Sequence, residues 1–348
     1  ADDAPAAHVD LGLVVQDEFA AFQPLTDALA TVDLVPLLER LGIMDVPNER
    51  SPHVRPVLRG MGLAVLIAMA AGGALGAWGL SASGQSGTAI LLVAVLAGLA
   101  SGLTGLAEDL RGLSVPLRSA LQIGIALASS IAIVALTGMT WWLVIYAVLF
   151  VSSYINVANF MDGLNGISGL HGVVAGLTFA AAGWLGGFAW LLVAGLVLAA
   201  GFAGFLPWNL FGRGAFLGDV GSYLLGGATA VTSMAAFAAG VPILASIGPM
   251  ILYFGDVGTT LVRRTREGKK WDEPHKEHVY QRIQQLGYSH LAASGMTAGL
   301  SAVASILGLV SFFVPPIWWL ALTAAGLAVL ALYLALPKIL PARHARVA

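Results

Sequence analysis

Cysteine is absent from this 348-residue chain, and charge is scarce: 10% of its residues are Asp, Glu, Lys or Arg, against about 25% in an average soluble protein. The lack of thiols excludes disulfides, thiolate-bound metals and a cysteine nucleophile. A formal net charge of −2 leaves no basic field for nucleic acid. What fills the chain instead is apolar, with 58% hydrophobic residues and a mean hydropathy of +0.84. Such a chain is an integral membrane protein. Spans of about 20 residues joined by short loops leave room for about ten helices and no large soluble domain, so the expected fold is all-α and polytopic.

Lys and Arg are missing from residues 1–39, which carry eight acids (Asp2, Asp3, Asp10, Asp17, Glu18, Asp27, Asp33 and Glu39). A signal peptide needs a basic start and an apolar core. The segment 1–41 therefore reads as acidic and non-membrane, cytosolic or interfacial, with a short helix over about 34–41. Ten apolar windows follow, at roughly 60–80, 88–106, 117–137, 140–157, 167–185, 187–207, 220–238, 241–262, 291–313 and 317–336. The third and fourth, fifth and sixth, and seventh and eighth are parted by only a few Gly, Thr or Pro residues, and each pair predicts a tight helical hairpin.

With the loop before the first window in the cytosol, alternation puts 107–116, 158–166, 208–219, 263–290 and both termini there too. All 17 Lys and Arg residues then fall on that side, and the positive-inside rule makes it cytoplasmic. Trp141, Trp142, Trp318 and Trp319 sit at the far ends of spans, as an aromatic belt would.

Polar chemistry concentrates on the basic side. Glu108 and Asp109 stand in LAEDLRGL, Asp162 in NVANFMDGLNG (156–166), Asp219 in FLGDVGS, and Asp256 about a turn inside the last helix before the basic loop. GDVGS at 218–222 recurs as GDVGT at 255–259, which two Gly-rich helix ends would equally explain. A lone acid at a helix end is ordinarily a solvated cap. These recur at one depth on one side, and charge near a membrane interior is costly and tends to be functional. Oxygen-only donors suit Mg²⁺ or Mn²⁺ over zinc, and Mg²⁺ usually completes its shell with substrate phosphates. Asn156 and Asn159, three apart on a helix end, can face one pocket. The loop 263–290 carries seven cations and three His. Its cations read as topology determinants and anionic-lipid contacts. Pro274 suits the first turn of a helix capped by Asp272 or Glu273. His275 and His278 would then share a face, with Val279, Ile283 and Leu286 resting on the bilayer. Phosphate binding is the functional reading preferred for the pair over zinc. His53 and Arg55 are secondary candidates; His8, His171 and His344 are read as uninvolved.

Over about residues 42–313 these motifs resemble the polyprenyl-phosphate N-acetylhexosamine-1-phosphate transferases, relatives of the phospho-N-acetylmuramoyl-pentapeptide transferase. GIMDVPNERSPHVRPVLRGMG looks like the family's first cytoplasmic loop, LAEDLRGLSVPLR its paired-acid motif, NVANFMDGLNG its asparagine–aspartate motif, FLGDVGS its metal loop and DEPHKEHVYQRI its histidine loop. Five motifs in order are specific, and the last is closer to O-antigen and surface-polysaccharide initiators. The resemblance implies a multi-pass enzyme of the bacterial inner membrane with a cytoplasmic active site. Its transmembrane catalytic domain would be 42–340 and its cytoplasmic tail 341–348. The implied reaction transfers a sugar 1-phosphate, N-acetylglucosamine 1-phosphate by default, from a UDP-sugar to undecaprenyl phosphate or a similar polyprenyl phosphate. UMP leaves, and a lipid intermediate of a cell-surface polysaccharide, such as lipopolysaccharide or another cell-wall polymer, begins.

By matching position, Asp219 would bind Mg²⁺ (or Mn²⁺) with Asp162 beside it, and Glu108 and Asp109 would handle the lipid phosphate or its proton. Asn156 and Asn159 would hold the nucleotide or structure the loop, His275 and His278 would contact phosphates, and Asp256 joins this binding group. Glu108 and Asn165 each stand where relatives usually keep Asp, and the acidic segment replaces the family's first span. UDP-6-deoxy-N-acetylhexosamines and UDP-MurNAc-pentapeptide are the alternative donors, and a homodimer is allowed for. Readings of another class are a catalytically impaired family member and a membrane transporter. A transporter would place its acids near mid-membrane in two related halves.

Overall fold

The structure is a computed structural model that describes residues 44–45, 57–58, 61–210, 215–270 and 275–343. It is an all-α bundle, and among the described residues ten helices are long and apolar enough to cross a membrane. All of them belong to one compact unit. They are α1 (Gly62–Ala82), α2 (Thr88–Arg111), α3 (Val115–Thr137), α4 (Trp142–Met161), α5 (Ile167–Gly186), α6 (Ala189–Leu210) and α7 (Gly218–Ala238). After these come a broken span made of α8 (Ile243–Ile247) and α9 (Ile251–Arg266), the short α10 (Val279–Gln285), then α11 (His290–Val310) and α12 (Trp319–Ile339). Before α1, β1 (Met44–Asp45) pairs antiparallel with β2 (Val57–Leu58). The ten expected windows match the ten spans. The predicted segment 1–41 and the tail from 344 lie outside the described residues.

Helices dominate because hydrocarbon offers the backbone no partner, so each span satisfies its own N–H and C=O groups. The hairpins turn on glycine where a helix must end: Gly138 after α3 and Gly187 after α5 both take the left-handed conformation, at φ 71°. Packing is organised around α7. Of the residues in its apolar window 94% are buried, against 11% for the span ending in α12. The reason is legible in GDVGSYLLGGATAVTSMAAFA: small residues let neighbouring backbones close in. Gly226 lies against the Tyr154–Ile155 backbone of α4, Gly227 against Ser101 of α2, and Gly98 of α2 against Ala228. Gly105, one turn before the paired acids, abuts the Asp219 carbonyl so closely that a Cβ there would overlap it. The paired-acid helix and the helix opened by the FLGDVGS motif are therefore locked together at the end that carries the polar motifs.

Two features differ from the sequence expectation. The eighth window, 241–262, is not one continuous helix: α8 passes through a 3₁₀ turn at Gly248–Met250 before α9 begins. Pro249 has no N–H and restricts the residue before it, so the helical ladder is interrupted there. Gly248 fills the break by packing on Ser305 of α11. The histidine-loop helix also starts later than expected. His278 is its extended N-cap (φ −63°, ψ 153°), and the backbone amide of His278 donates to Gln281 Oε1 at 3.2 Å. His275 precedes the helix, and 271–274 lie outside the described residues. Val279 and Ile283 do not rest on the bilayer. They are buried with Leu252, Ala293 and Tyr333 of α9, α11 and α12, because that pocket offers more apolar contact than a membrane surface would.

Candidate active site

The paired acids fall in the last turn of α2, and each fixes a different corner. Glu108 Oε2 accepts from the Leu113 amide at 2.8 Å, and Oε1 pairs with Arg118 at 3.3 Å. It thereby ties the α2–α3 turn. Asp109 Oδ2 accepts from the Val220 amide at 3.0 Å. That N–H is one of those a helix start leaves without an intrahelical partner, so a carboxylate from α2 caps α7.

Asp219 lies in the first turn of the helix so capped, where the positive end of the helix dipole favours negative charge. Asn159 near the end of α4 donates to Asp219 Oδ1 at 2.8 Å and to Ser222 Oγ at 3.0 Å. Asn156, three residues earlier, turns to a different neighbour, donating to Gln122 Oε1 of α3 at 2.7 Å and to its own helix at the Ser152 carbonyl, 2.9 Å away. Asp162, which ends α4, accepts from Ser168 Oγ of α5 at 2.7 Å. Asn165 accepts at its backbone carbonyl from Ser294 Oγ at 2.9 Å, so the loop is pinned to α11 as well.

The histidine loop covers this motif. Gly163 sits under the Tyr280 hydroxyl and Gln281 with no room for a Cβ, and Tyr280 Oη donates to the Phe160 carbonyl at 3.3 Å. Burial, then the charges of Asp256 and Asp162, raise the Tyr280 phenol well above its ordinary pKa, so it stays a donor. The His278 ring is stacked on Tyr280 (5.9 Å, 9°) and lies 4.9 Å from the His275 ring. His278 Nδ1 meets Asp256 Oδ1 at 3.0 Å. Asp256 itself is fully buried. His275 is driven down to about pKa 4 by burial, then by His278 and Arg264, and is neutral at pH 7. Three cations of the basic loop gather on Glu277: Arg264 at 2.8 Å, Lys269 at 3.2 Å and Arg263 at 3.7 Å. Burial alone would raise the Glu277 pKa, but Lys269, Arg264 and Arg263 hold it below its usual value. These cations therefore hold the loop together.

Glu108, Asp109, Asn159, Asp162 and Asp219 thus share one end of the bundle, joined by hydrogen bonds between helices, with His275 and His278 in the loop above. His53 lies outside the described residues. His171 is inside the bundle, bonded to Tyr154 Oη at 2.7 Å and stacked on Tyr253 at 3.7 Å. Among the described residues no three His, Asp or Glu groups converge as a complete metal cage. A hard cation that takes one or two carboxylates and fills its shell with phosphate and water fits this oxygen-only donor set.

The chain is 31% identical over 296 residues to the decaprenyl-phosphate N-acetylglucosaminephosphotransferase of Mycolicibacterium smegmatis, covering 73% of this chain and 71% of that one. The profile of glycosyl transferase family 4 matches residues 90–237. The chain belongs to glycosyl transferase family 4. A second family-4 relative is the probable undecaprenyl-phosphate N-acetylglucosaminyl 1-phosphate transferase of Bacillus subtilis, 24% identical over 289 residues, 76% of this chain and 77% of that one. The Mycobacterium tuberculosis decaprenyl-phosphate N-acetylglucosaminephosphotransferase is 29% identical over 303 residues, 73% and 72% of the two chains. The family match runs from α2 through α7, the helices that supply Glu108, Asp109, Asn159, Asp162 and Asp219.

Four residues of this family-4 site escape sequence reasoning. Asn209, buried near the end of α6, accepts from the Gly166 amide through Oδ1 and donates to the Ala215 carbonyl at 2.9 Å. It ties the asparagine–aspartate loop to the segment just before the FLGDVGS motif. Gln122 holds Asn156, Ser168 holds Asp162, and Arg118 brings a cation to Glu108. The available signal is a polar residue at the motif-bearing end of an apolar window, which Asn209 and Arg118 show and which the acidic motifs overshadow.

Proposed function

We propose that the chain transfers N-acetylglucosamine 1-phosphate from UDP-N-acetylglucosamine to a polyprenyl phosphate of the undecaprenyl or decaprenyl type, releasing UMP. The reaction takes place at the cytoplasmic face of a bacterial inner membrane and starts a cell-surface polysaccharide on its lipid carrier. The observation that carries this reading is the direct bonding of motif to motif, above all Asn159 to Asp219 and Asp109 to the start of α7. It supports a single phosphate-handling centre at one end of the bundle, and the relatives' names supply the substrate class.

The lipid phosphate oxygen attacks the β-phosphorus of the donor, the bond from that phosphorus to the UMP oxygen breaks, and UMP departs. Phosphoryl transfer of this kind needs alignment and charge neutralisation more than covalent help from the protein. Asp219 and Asp162 would hold Mg²⁺, which when bound neutralises the donor diphosphate. Asn159 orients Asp219, and Asp109 fixes the helix that carries it. Arg118, paired to Glu108 at the mouth of α3, offers a cation for the lipid phosphate. His275 and His278 contact donor phosphates.

The test is a panel of UDP-sugars with purified protein, Mg²⁺ and undecaprenyl phosphate. UDP-N-acetylglucosamine is expected to give the fastest turnover. Preference for UDP-MurNAc-pentapeptide or a 6-deoxy sugar would move the chain to another branch of the family, and no turnover with any of them would end the proposal.

A further inference from the structure

Asp256 is a carboxylate with no exposed surface, placed on α9 just beyond the broken turn. Three donors and a histidine ring nitrogen converge on it. His278 Nδ1 (3.0 Å) and Thr260 Oγ1 (3.2 Å) meet Oδ1, while the Val279 amide (2.9 Å) and Tyr333 Oη (2.8 Å) meet Oδ2. A buried carboxylate held by this many polar contacts is fixed rigidly. Tyr333, itself fully buried, comes from α12, so the last span reaches the histidine loop through this one oxygen. Arg343 adds a second tie, its amide donating to the Leu286 carbonyl at 2.7 Å and its guanidinium lying 4.3 Å over the Tyr288 ring.

The geometry points to Asp256 as a positioning residue for the transfer reaction, with Tyr333 as its support: together they fix His278 as the Nδ1–H tautomer and leave Nε2 as the nitrogen that meets phosphate. The inference rests on the proposed contact of His278 with the donor. The His278 ring is almost fully buried, with the centroid of the Tyr280 ring 5.9 Å away and that of the His275 ring 4.9 Å away. One edge is taken by Asp256. A carboxylate accepts and does not donate, so it selects the proton on Nδ1, as carboxylates bonded to catalytic and metal-bound histidines do. The Val279 bond adds orientation, because the same carboxylate fixes the backbone of the helix that His278 caps. The recurrence GDVGS and GDVGT thus separates into two tasks: Asp219 faces the substrate end, and Asp256 acts through a histidine.

The experiment is a double-mutant cycle on the purified full chain in the transfer assay, with Asp256→Asn, His278→Gln and both together. Asp256→Asn offers an amide N–H where the ring needs an acceptor. It is expected to lower kcat by roughly 10- to 100-fold with little change in KM for the UDP-sugar, and to cost nothing further once His278 is Gln. Tyr333→Phe, a milder change kept in case Asp256→Asn does not fold, is expected to lower kcat several-fold with the same dependence on His278. Equal losses in both His278 backgrounds would make Asp256 a structural residue and overturn the inference. Wild-type turnover by His278→Gln would remove the histidine from the reaction, and the inference with it. Independently of turnover, ¹⁵N spectra of histidine-labelled protein, with the His278 signal identified by its loss in His278→Gln, should show the Nδ1–H form. An Nε2–H ring in the wild type would refute the positioning role while leaving the transfer reading intact.

Discussion

Asp219 sits where three influences coincide: a helix N-terminus, the Asn159 amide, and the neighbouring Asp109 that caps the same helix. Asp219→Asn keeps the shape and removes the charge. It is expected to reduce kcat on the order of 100-fold or more while the detergent-solubilised protein keeps its melting temperature; near-normal turnover would take Asp219 out of the metal site. His275 makes a different prediction. Its folded-state pKa of about 4 lies below the unfolded value of about 6.5. Between those values the unfolded chain binds the extra proton, so stability falls as pH drops from about 6.5 toward 4. Melting curves should show that loss, and His275→Gln should make it shallower; an identical pH profile would mean that His275 is not desolvated. At this scale Asp219, Asp162 and Asn159 were legible because acids and amides are conspicuous in an apolar chain. Gln122 and Asn209 were not, since their partners lie 34 and 43 residues away and meet only after helices pack.

Between elements, the approach of α2 to α7 sets the site. A Cβ at Gly105 overlaps the Asp219 carbonyl, whereas one at Gly124 on α3 meets nothing within 4 Å. Gly105→Ala should therefore cost about 1–3 kcal/mol and displace the Asp109 cap, with turnover falling alongside the melting temperature. Gly124→Ala should be neutral or slightly stabilising, because alanine is the better helix former. Equal behaviour of the two variants would show that α2 and α7 are not in backbone contact. Window lengths and hairpin turns are readable in the sequence, because hydrophobic runs and glycines carry them. The break at Gly248–Met250 and the late start of α10 were not read, although Pro249 is visible. Whether a proline bends, breaks or merely starts a helix depends on what fills the gap, here Ser305 of α11.

For the whole molecule, the bundle, its ten spans and its basic side follow from composition and charge counting, which need no contact information. The union of the motifs is different. It depends on α7 passing through the middle, which its small residues permit and which no single window announces. Sidedness is checked with Lys270→Cys in this cysteine-free chain: a membrane-impermeant maleimide should label it only from the cytoplasmic side, and labelling from the periplasm would invert the proposed orientation. In the proposed reaction the sugar moves together with its phosphate. The most direct measurement supplies UDP-N-acetylglucosamine carrying ³²P at the β-phosphate, with polyprenyl phosphate and Mg²⁺, and follows the label and the nucleotide released. The prediction is label in the lipid with one UMP formed per lipid product. Label retained in released UDP, with sugar alone on the lipid, would contradict it.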